Sequence, residues 1–266
     1  MQIGLYFDLR NPPGWRRDWA RLYAQTLEWI EGAEHLGGQS IWLSEHHLFE
    51  DGYLPQPLTF AAAVAARTRR VRIGTAVLLA PLRSAAQIAE EAAVVDLISG
   101  GRLELGLGAG YRVPEFRAFG ADFGTRLQVL FERGREIQRL HAEGGTTPPP
   151  VQRPLPLWFG VSGPRGARWA GRLGAGLLRI KAAQLGPYHT GLAEGGYSAR
   201  QARMGDVFEA ILADDPEAAW PRVAPCLAYQ WDSYRRYAVE GTDRPAPPPI
   251  DPDQWRRPGP DGAPPR

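Results

Sequence analysis

Short apolar runs alternate with helical patterns along most of this chain, and that alternation limits its folding more than any other feature. Residues 3–7, 40–44, 71–79, 103–107, 157–161, 177–180 and 207–212 read as strands. Between them, Trp19, Leu22, Tyr23, Ile30 and Ala33 recur at helical spacing, and Gly37-Gly38 can end that helix. Residues 58–68 form an alanine-rich helix pattern. Ser84 with Gln87, and Thr125 with Gln128, give capping-box patterns that open helices running to about Ile98 and His141. A helix is expected over 166–173. Asp215-Pro216 opens a last helical region, which Pro221 and Pro225 are expected to break or kink. Alternating strands and helices favour a parallel sheet with crossover helices. The count is about seven strand–helix units, one short of a (β/α)8 barrel. Periodicity alone does not choose between a barrel and a doubly wound open sheet. The turn after Phe7, Asp8-Leu9-Arg10-Asn11-Pro12-Pro13-Gly14, lacks the G-x-G-x-x-G phosphate grip of the latter.

At 266 residues the chain is long enough for one large α/β domain or two small ones. The division expected is a domain over 1–244 and a disordered tail over 245–266, where nine of 22 residues are proline. No apolar run reaches the length of a membrane span, and the N-terminus lacks a signal-peptide pattern. The single cysteine, Cys226, excludes an internal disulfide and a cysteine-cluster metal site. These features read as a cytoplasmic protein with no membrane partner. The net charge of +2 gives no basis for a nucleic-acid partner. All the basic residues except Lys181 are arginine, scattered among acids on helix faces.

Chemistry-bearing residues cluster at the ends of the expected strands. Glu45-His46-His47 follow the second; imidazoles there suit acid–base work, although structural polar residues or metal ligands give the same pattern. Adjacent histidines on a strand point to opposite sides, which disfavours a shared metal, and no metal site is expected. Gly74-Thr75-Ala76-Val77-Leu78-Leu79-Ala80-Pro81 closes the third strand. Ser99-Gly100-Gly101-Arg102 leads into the fourth, which ends in Gly106-Leu107-Gly108-Ala109-Gly110. Such glycines allow close ligand approach or simply a tight turn. Tyr111 and Phe116 follow, in a loop that carries Glu115-Phe116-Arg117-Ala118-Phe119-Gly120; aromatic residues there suit an apolar substrate or loop packing. Ser162-Gly163-Pro164-Arg165-Gly166 precedes a helix, where backbone N–H groups favour an anion or serve plain capping.

In this order and spacing, these segments resemble the bacterial luciferase-like family of flavin-dependent oxidoreductases. The resemblance covers about 1–231 and is strongest over 37–120. It implies a TIM (β/α)8-type barrel, here without the last strand–helix unit. It implies reduced FMN as cofactor, delivered by a separate flavin reductase, with O2 oxygenating a small organic substrate. Deazaflavin F420 with hydride transfer is the alternative, as is a catalytically weak flavin-binding paralogue that pairs with another protein. His46 is implied as the catalytic histidine, with Glu45 and His47 beside it. A non-prolyl cis peptide is implied between Ala76 and Val77, under the flavin ring. Gly108 stands where luciferases carry a reactive cysteine, and Ala109 where an arginine reaches the flavin phosphate. Ser162, Gly163, Arg165 and Gly166 are implied at the phosphate, with Arg165 substituting for the missing arginine. Tyr111 and Phe116 are assigned to the substrate. A homodimer is the implied assembly.

Overall fold

A computed structural model describes residues 2–256 of the chain. Eight strands, all paired in parallel, lie in the order β1 (Gly4–Phe7), β2 (Ser40–Leu43), β3 (Arg72–Thr75), β5 (Leu103–Gly108), β6 (Leu157–Gly160), β7 (Gly176–Leu178) and β8 (Met204–Gly205). The short β4 (Leu78–Leu79) continues β3 beside β5. Helices α1 (Trp19–His35), α2 (Pro57–Arg67), α3 (Ala85–Ser99), α5 (Arg126–Ala142), α6 (Pro164–Arg172) and α7 (Ala182–Glu194) supply the crossovers. Two further helices are α4 (Val113–Ala118) and α8 (Pro216–Tyr237). The chain divides into two compact units. One is Met1–Gly110 with Phe119–Val207; the other is Tyr111–Ala118 with Phe208–Arg266. All the strands belong to the first.

The sheet of the first unit is curved. Trp42 on β2 and Trp158 on β6 meet edge-on with ring centroids 5.6 Å apart, although β3 and β5 lie between their strands. On a flat sheet three strand spacings would separate them by about 14 Å. The sheet must therefore curl until the two indoles share one interior, giving a parallel half-barrel. These two tryptophans lie on strands, not on helices. Trp158 Nε1 donates to Glu104 Oε2 at 2.6 Å, and Glu104 also pairs with Arg72. A charged residue inside the curve is thus satisfied by strand neighbours. Outside it, Ile41, Leu43, Ile73, Leu103, Leu105 and Phe159 are fully buried beneath the helices, as both faces of a parallel sheet require.

Local chemistry explains several junctions. Ser84 Oγ accepts from the Gln87 amide at 3.1 Å and caps α3. The Gln87 side chain turns to Glu91, so only half of the expected capping box forms. Thr125 makes no such cap: its hydroxyl donates to Asp122 Oδ2 at 2.8 Å, the nearer acceptor. At the far end of α3, Gly100 takes the left-handed conformation (φ 68°), and the Arg102 guanidinium donates to Ala65 O, Thr68 O, Thr68 Oγ1 and Val71 O. The Ser99–Arg102 signature therefore ties α2 and α3 to the N-terminal side of the sheet. Glu34 accepts from the amides of Arg69, Arg70 and Val71, which fixes the entry to β3. Burial pushes its carboxyl up, but those amides outweigh the effect and hold it below the ordinary value.

The expected strand over 207–212 does not form. Residues 207–212 lack regular structure, with Phe208 88% and Leu212 96% exposed. The seventh strand position is taken by Met204–Gly205, which pairs with Leu177 and Leu178. Apolar content suggested a strand, but pairing was available only two residues earlier. Helix α7 went unrecognised because Gly186 and Pro187 interrupt its pattern. In the second unit α8 begins at its Asp215 cap as expected, and runs through Pro221 and Pro225 without a break. Part of the proline-rich stretch is anchored in this unit: the Ile250 amide donates to Asp232, Trp220 Nε1 donates to Asp253, and Pro252–Arg256 forms a 3-10 turn. The remainder of the tail expected to be disordered, 257–266, lies outside the described residues. Arg112 pairs with Glu240 at 2.7 Å and lies over the Tyr237 ring, joining the Tyr111–Ala118 segment to the end of α8.

Candidate active site

Because the strands are parallel, the residues following β2, β4, β5 and β6 emerge on one edge of the sheet. Glu45, His46 and His47 follow β2 there, all buried. Glu45 is the centre of the junction. Its Oε1 accepts from His47 Nε2 at 2.6 Å and lies 2.6 Å from Arg83 Nη1; its Oε2 accepts from the Leu79 amide at 2.6 Å. A carboxylate with a fully buried side chain is tenable only with such partners. The two histidine rings part company. His46 stacks on Phe49 (centroids 4.6 Å, 11°) and meets the edge of Tyr53 at 4.8 Å, while His47 turns to Glu45 and lies 4.4 Å from Phe119. Among the described residues, no group of three or more His, Cys, Asp or Glu is placed to hold a metal.

An aromatic and charged wall continues from His46. The Tyr53 and Tyr6 hydroxyls are 3.0 Å apart, and Arg10 lies 4.7 Å over the Tyr53 ring. Arg10 pairs with Asp51 at 3.1 Å and with Asp8 at 3.2 Å. Burial pushes the Asp8 carboxyl above its ordinary range, with Arg10 opposing it.

The peptide between Ala76 and Val77 is cis, as the resemblance implied. The Val77 side chain fills the space over Gly108 and Gly160, where any Cβ would collide with it. Those glycines therefore make room for a neighbouring side chain. Ala109 is half-buried and brings no charge. After β6, Ser162 and Arg165 are exposed and Gly163 (φ 85°) caps α6. Gly166 packs on Val161. A surface cavity of about 460 Å³ between α6 and α7 is lined by Pro164, Arg165, Arg168, Gly186, Pro187 and Thr190. It includes Arg165 but none of Glu45, His46 and His47. Tyr111 and Phe116 belong to the second unit, where Phe116 is fully buried on α4.

Sequence reasoning missed Arg83, Tyr53, Tyr6 and Asp8. An arginine between Leu82 and Ser84 carries no motif. Only its place between an apolar run and a helix cap hinted that it would be buried.

The profile of the Luciferase-like monooxygenase family matches residues 1–262. The chain belongs to this luciferase-like oxidoreductase family. It is 33% identical over 173 residues to an F420-dependent glucose-6-phosphate dehydrogenase of Amycolatopsis mediterranei, covering 57% of this chain and 52% of that one. It is 29% identical over 189 residues to the oxygenase component of a flavin-dependent trigonelline monooxygenase of Acinetobacter baylyi, covering 64% and 50%. The chain thus spans about half the length of the curated relatives it matches. The crystal structure of monooxygenase RslO1 from Streptomyces bottropensis superposes with a TM-score of 0.79 at 26% identity, over 91% of this chain and 80% of that one. Among the described residues, no helix is long and apolar enough to cross a membrane.

Proposed function

We propose that this chain forms the catalytic part of a (β/α)8-type flavin-dependent monooxygenase acting in the cytoplasm. It would take reduced FMN from a separate reductase and oxygenate a small organic substrate with O2. The observation that carries this reading is the Glu45 junction, which ties the segment after β2 to the amide of Leu79 on the edge where His46 and the start of α6 also lie. The donor set fits a flavin phosphate: amides at the start of α6, with Ser162 and the Arg165 cation beside them. Gly163 and Gly166 keep that turn close to the backbone, and Arg165 supplies the charge that Ala109 does not. Ala76 and Val77 would support the ring, with Gly108 shaping the strand end behind them. When bound, the reduced flavin supplies an electron pair for the reduction of O2.

The chain's own residues then have distinct tasks. Ionised Glu45 only accepts hydrogen bonds, so His47 carries its proton on Nε2. His46 is held by stacking on Phe49 and by the Tyr53 edge, which fixes its ring for proton transfer to or from a substrate oxygen. The aromatic wall of Phe49, Tyr53 and Tyr6 excludes water from that ring. Tyr111, which follows the end of β5 in sequence, would contact the substrate, whereas Phe116 is fully buried on α4 and has no exposed surface to offer it. A homodimer is the assembly, read by sedimentation.

F420 with hydride transfer is the second reading, favoured by the identity to an F420-dependent dehydrogenase and by the uncharged Ala109. Anaerobic titration with reduced FMN and, separately, reduced F420 separates them. FMN binding followed by oxygen-dependent turnover supports the monooxygenase, and F420 binding with hydride exchange the dehydrogenase. Binding of neither removes both. His46→Ala is expected to lower turnover by about 100-fold, the scale of a lost general acid or base, while leaving cofactor affinity intact.

A further inference from the structure

Arg83 precedes α3 and belongs to no motif, yet its side chain is only 5% exposed and lies against the Glu45 carboxylate. It is held in place from two other elements. Its Nη2 donates to Gln56 Oε1 at 3.1 Å, just before α2, and its carbonyl accepts from Arg133 Nε of α5 at 3.0 Å. Its Nη1 meets Glu45 Oε1 as an ion pair without an aligned N–H bond. What Arg83 supplies to Glu45 is therefore charge more than direction.

That charge faces the acceptor of the junction's hydrogen bonds. Ionised, Glu45 accepts from both the His47 ring and the Leu79 amide. We propose that Arg83 is a positioning residue: its cation pairs with the Glu45 carboxylate and holds it as the common acceptor of the His47 Nε2–H and of the Leu79 amide, beside the Ala76–Val77 peptide. Arg83 touches neither substrate nor cofactor in this role. The role rests on the geometry of the junction whichever cofactor is used, and it deepens the proposed function by giving the active-site edge its electrostatic anchor.

The test is 15N NMR of the histidine rings, with hydrogen exchange of the Leu79 amide, in the full chain at neutral pH. The wild-type protein should show His47 protonated at Nε2 and a protected Leu79 amide. Arg83→Met should release His47 from a fixed Nε2–H tautomer and speed Leu79 exchange by about tenfold or more, as expected for groups that lose their acceptor. Arg83→Lys keeps the charge and should retain both signatures. A folded Arg83→Met protein with an unchanged His47 tautomer and Leu79 exchange overturns the proposal. If the methionine variant does not fold, loss of both signatures in a folded Arg83→Lys protein does the same. Reduced-FMN titration of the same proteins keeps the two conclusions apart. Wild-type protein that never binds FMN, together with the tautomer change in Arg83→Met, would sink the flavin reading and leave the role of Arg83 standing.

Discussion

Two places on the same edge of the sheet are built on opposite plans. At the ends of β2, β3 and β4, buried polar groups are cross-tied: Glu45 to His47, Arg83 and Leu79, and Thr75 Oγ1 to both the amide and the carbonyl of Gly106. After β6, Ser162 and Arg165 stand exposed at the start of α6. The first arrangement fixes a proton and a backbone ledge in advance of any ligand. The second leaves cation and amides hydrated, ready to exchange water for an anion. Precision is placed where chemistry would occur, and accessibility where a phosphate would be captured.

The contrast breaks most visibly at Glu45. Glu45→Ala leaves Arg83 buried without its counter-ion, and removal of one partner of a buried pair costs about 3–5 kcal/mol. Thermal denaturation should show a fall in Tm of about 6–20 °C, at about 2–4 °C per kcal/mol for a domain of this size. A loss below about 1 kcal/mol would place the junction with ordinary surface polar groups, outside the buried class.

The next effect comes from the apolar side of the same junction. Gly108→Ala drives a methyl into Val77, and overpacking of this kind costs about 1–3 kcal/mol. Val77→Ala should recover much of that loss in the double variant, measured by a denaturant-based double-mutant cycle. Additive losses would show that Gly108 is required for something other than Val77.

These two junctions were legible in the sequence to different depths. Glu45, His46 and His47 stood out because titratable residues directly after an apolar strand are unusual and fall at the sheet edge in any parallel fold. Strands β1, β2, β5 and β6 were readable to within about a residue from their largely apolar runs, although β1 itself is exposed or half-buried. Arg83 was not readable, because its meaning lies wholly in three elements far apart in sequence, carrying Glu45, Gln56 and Arg133. The role of Gly108 was hidden for the same reason: the side chain that needs its missing Cβ is 31 positions earlier, where an irregular strand end turns Val77 inward. The misplaced strand at 207–212 shows the converse. An apolar run specifies a strand only where a neighbour offers hydrogen bonds, and Leu177 N–H and Arg179 N–H reach Arg203 O and Gly205 O instead.

The open side of the comparison is sharpened by Arg165→Ala. An exposed arginine should change stability by no more than about 0.5 kcal/mol. Affinity for a phosphate-bearing cofactor should nevertheless fall about tenfold, as expected for one lost charge-assisted contact. Titration with FMN and with its dephosphorylated form, riboflavin, checks both halves. Equal weakening of the two ligands would move Arg165 away from the phosphate.

The smallest effect expected is at the helices behind that loop. Arg168 and Arg172 both reach Glu194, joining α6 to the end of α7. Hydrogen bonds from Arg168 first, and then Arg172, hold the Glu194 carboxyl down to about 2 from an ordinary 4.5. A carboxyl depressed in the folded state stabilises fully above its unfolded value and loses that contribution as pH falls through the folded one. The Tm difference between wild type and Glu194→Gln should therefore be constant above pH 4.5 and vanish near pH 2. It should be small throughout, because these charges are exposed and screened by salt. The helices are already fixed by closer contact: a Cβ on Gly191 would strike the Arg168 carbonyl, and one on Gly171 the Tyr188 carbonyl. Backbone packed on backbone holds α6 against α7, and the ion pairs decorate an interface that would persist without them. A Glu194→Gln difference that stayed constant down to pH 2 would mean that shape, not charge, is what the glutamate contributes.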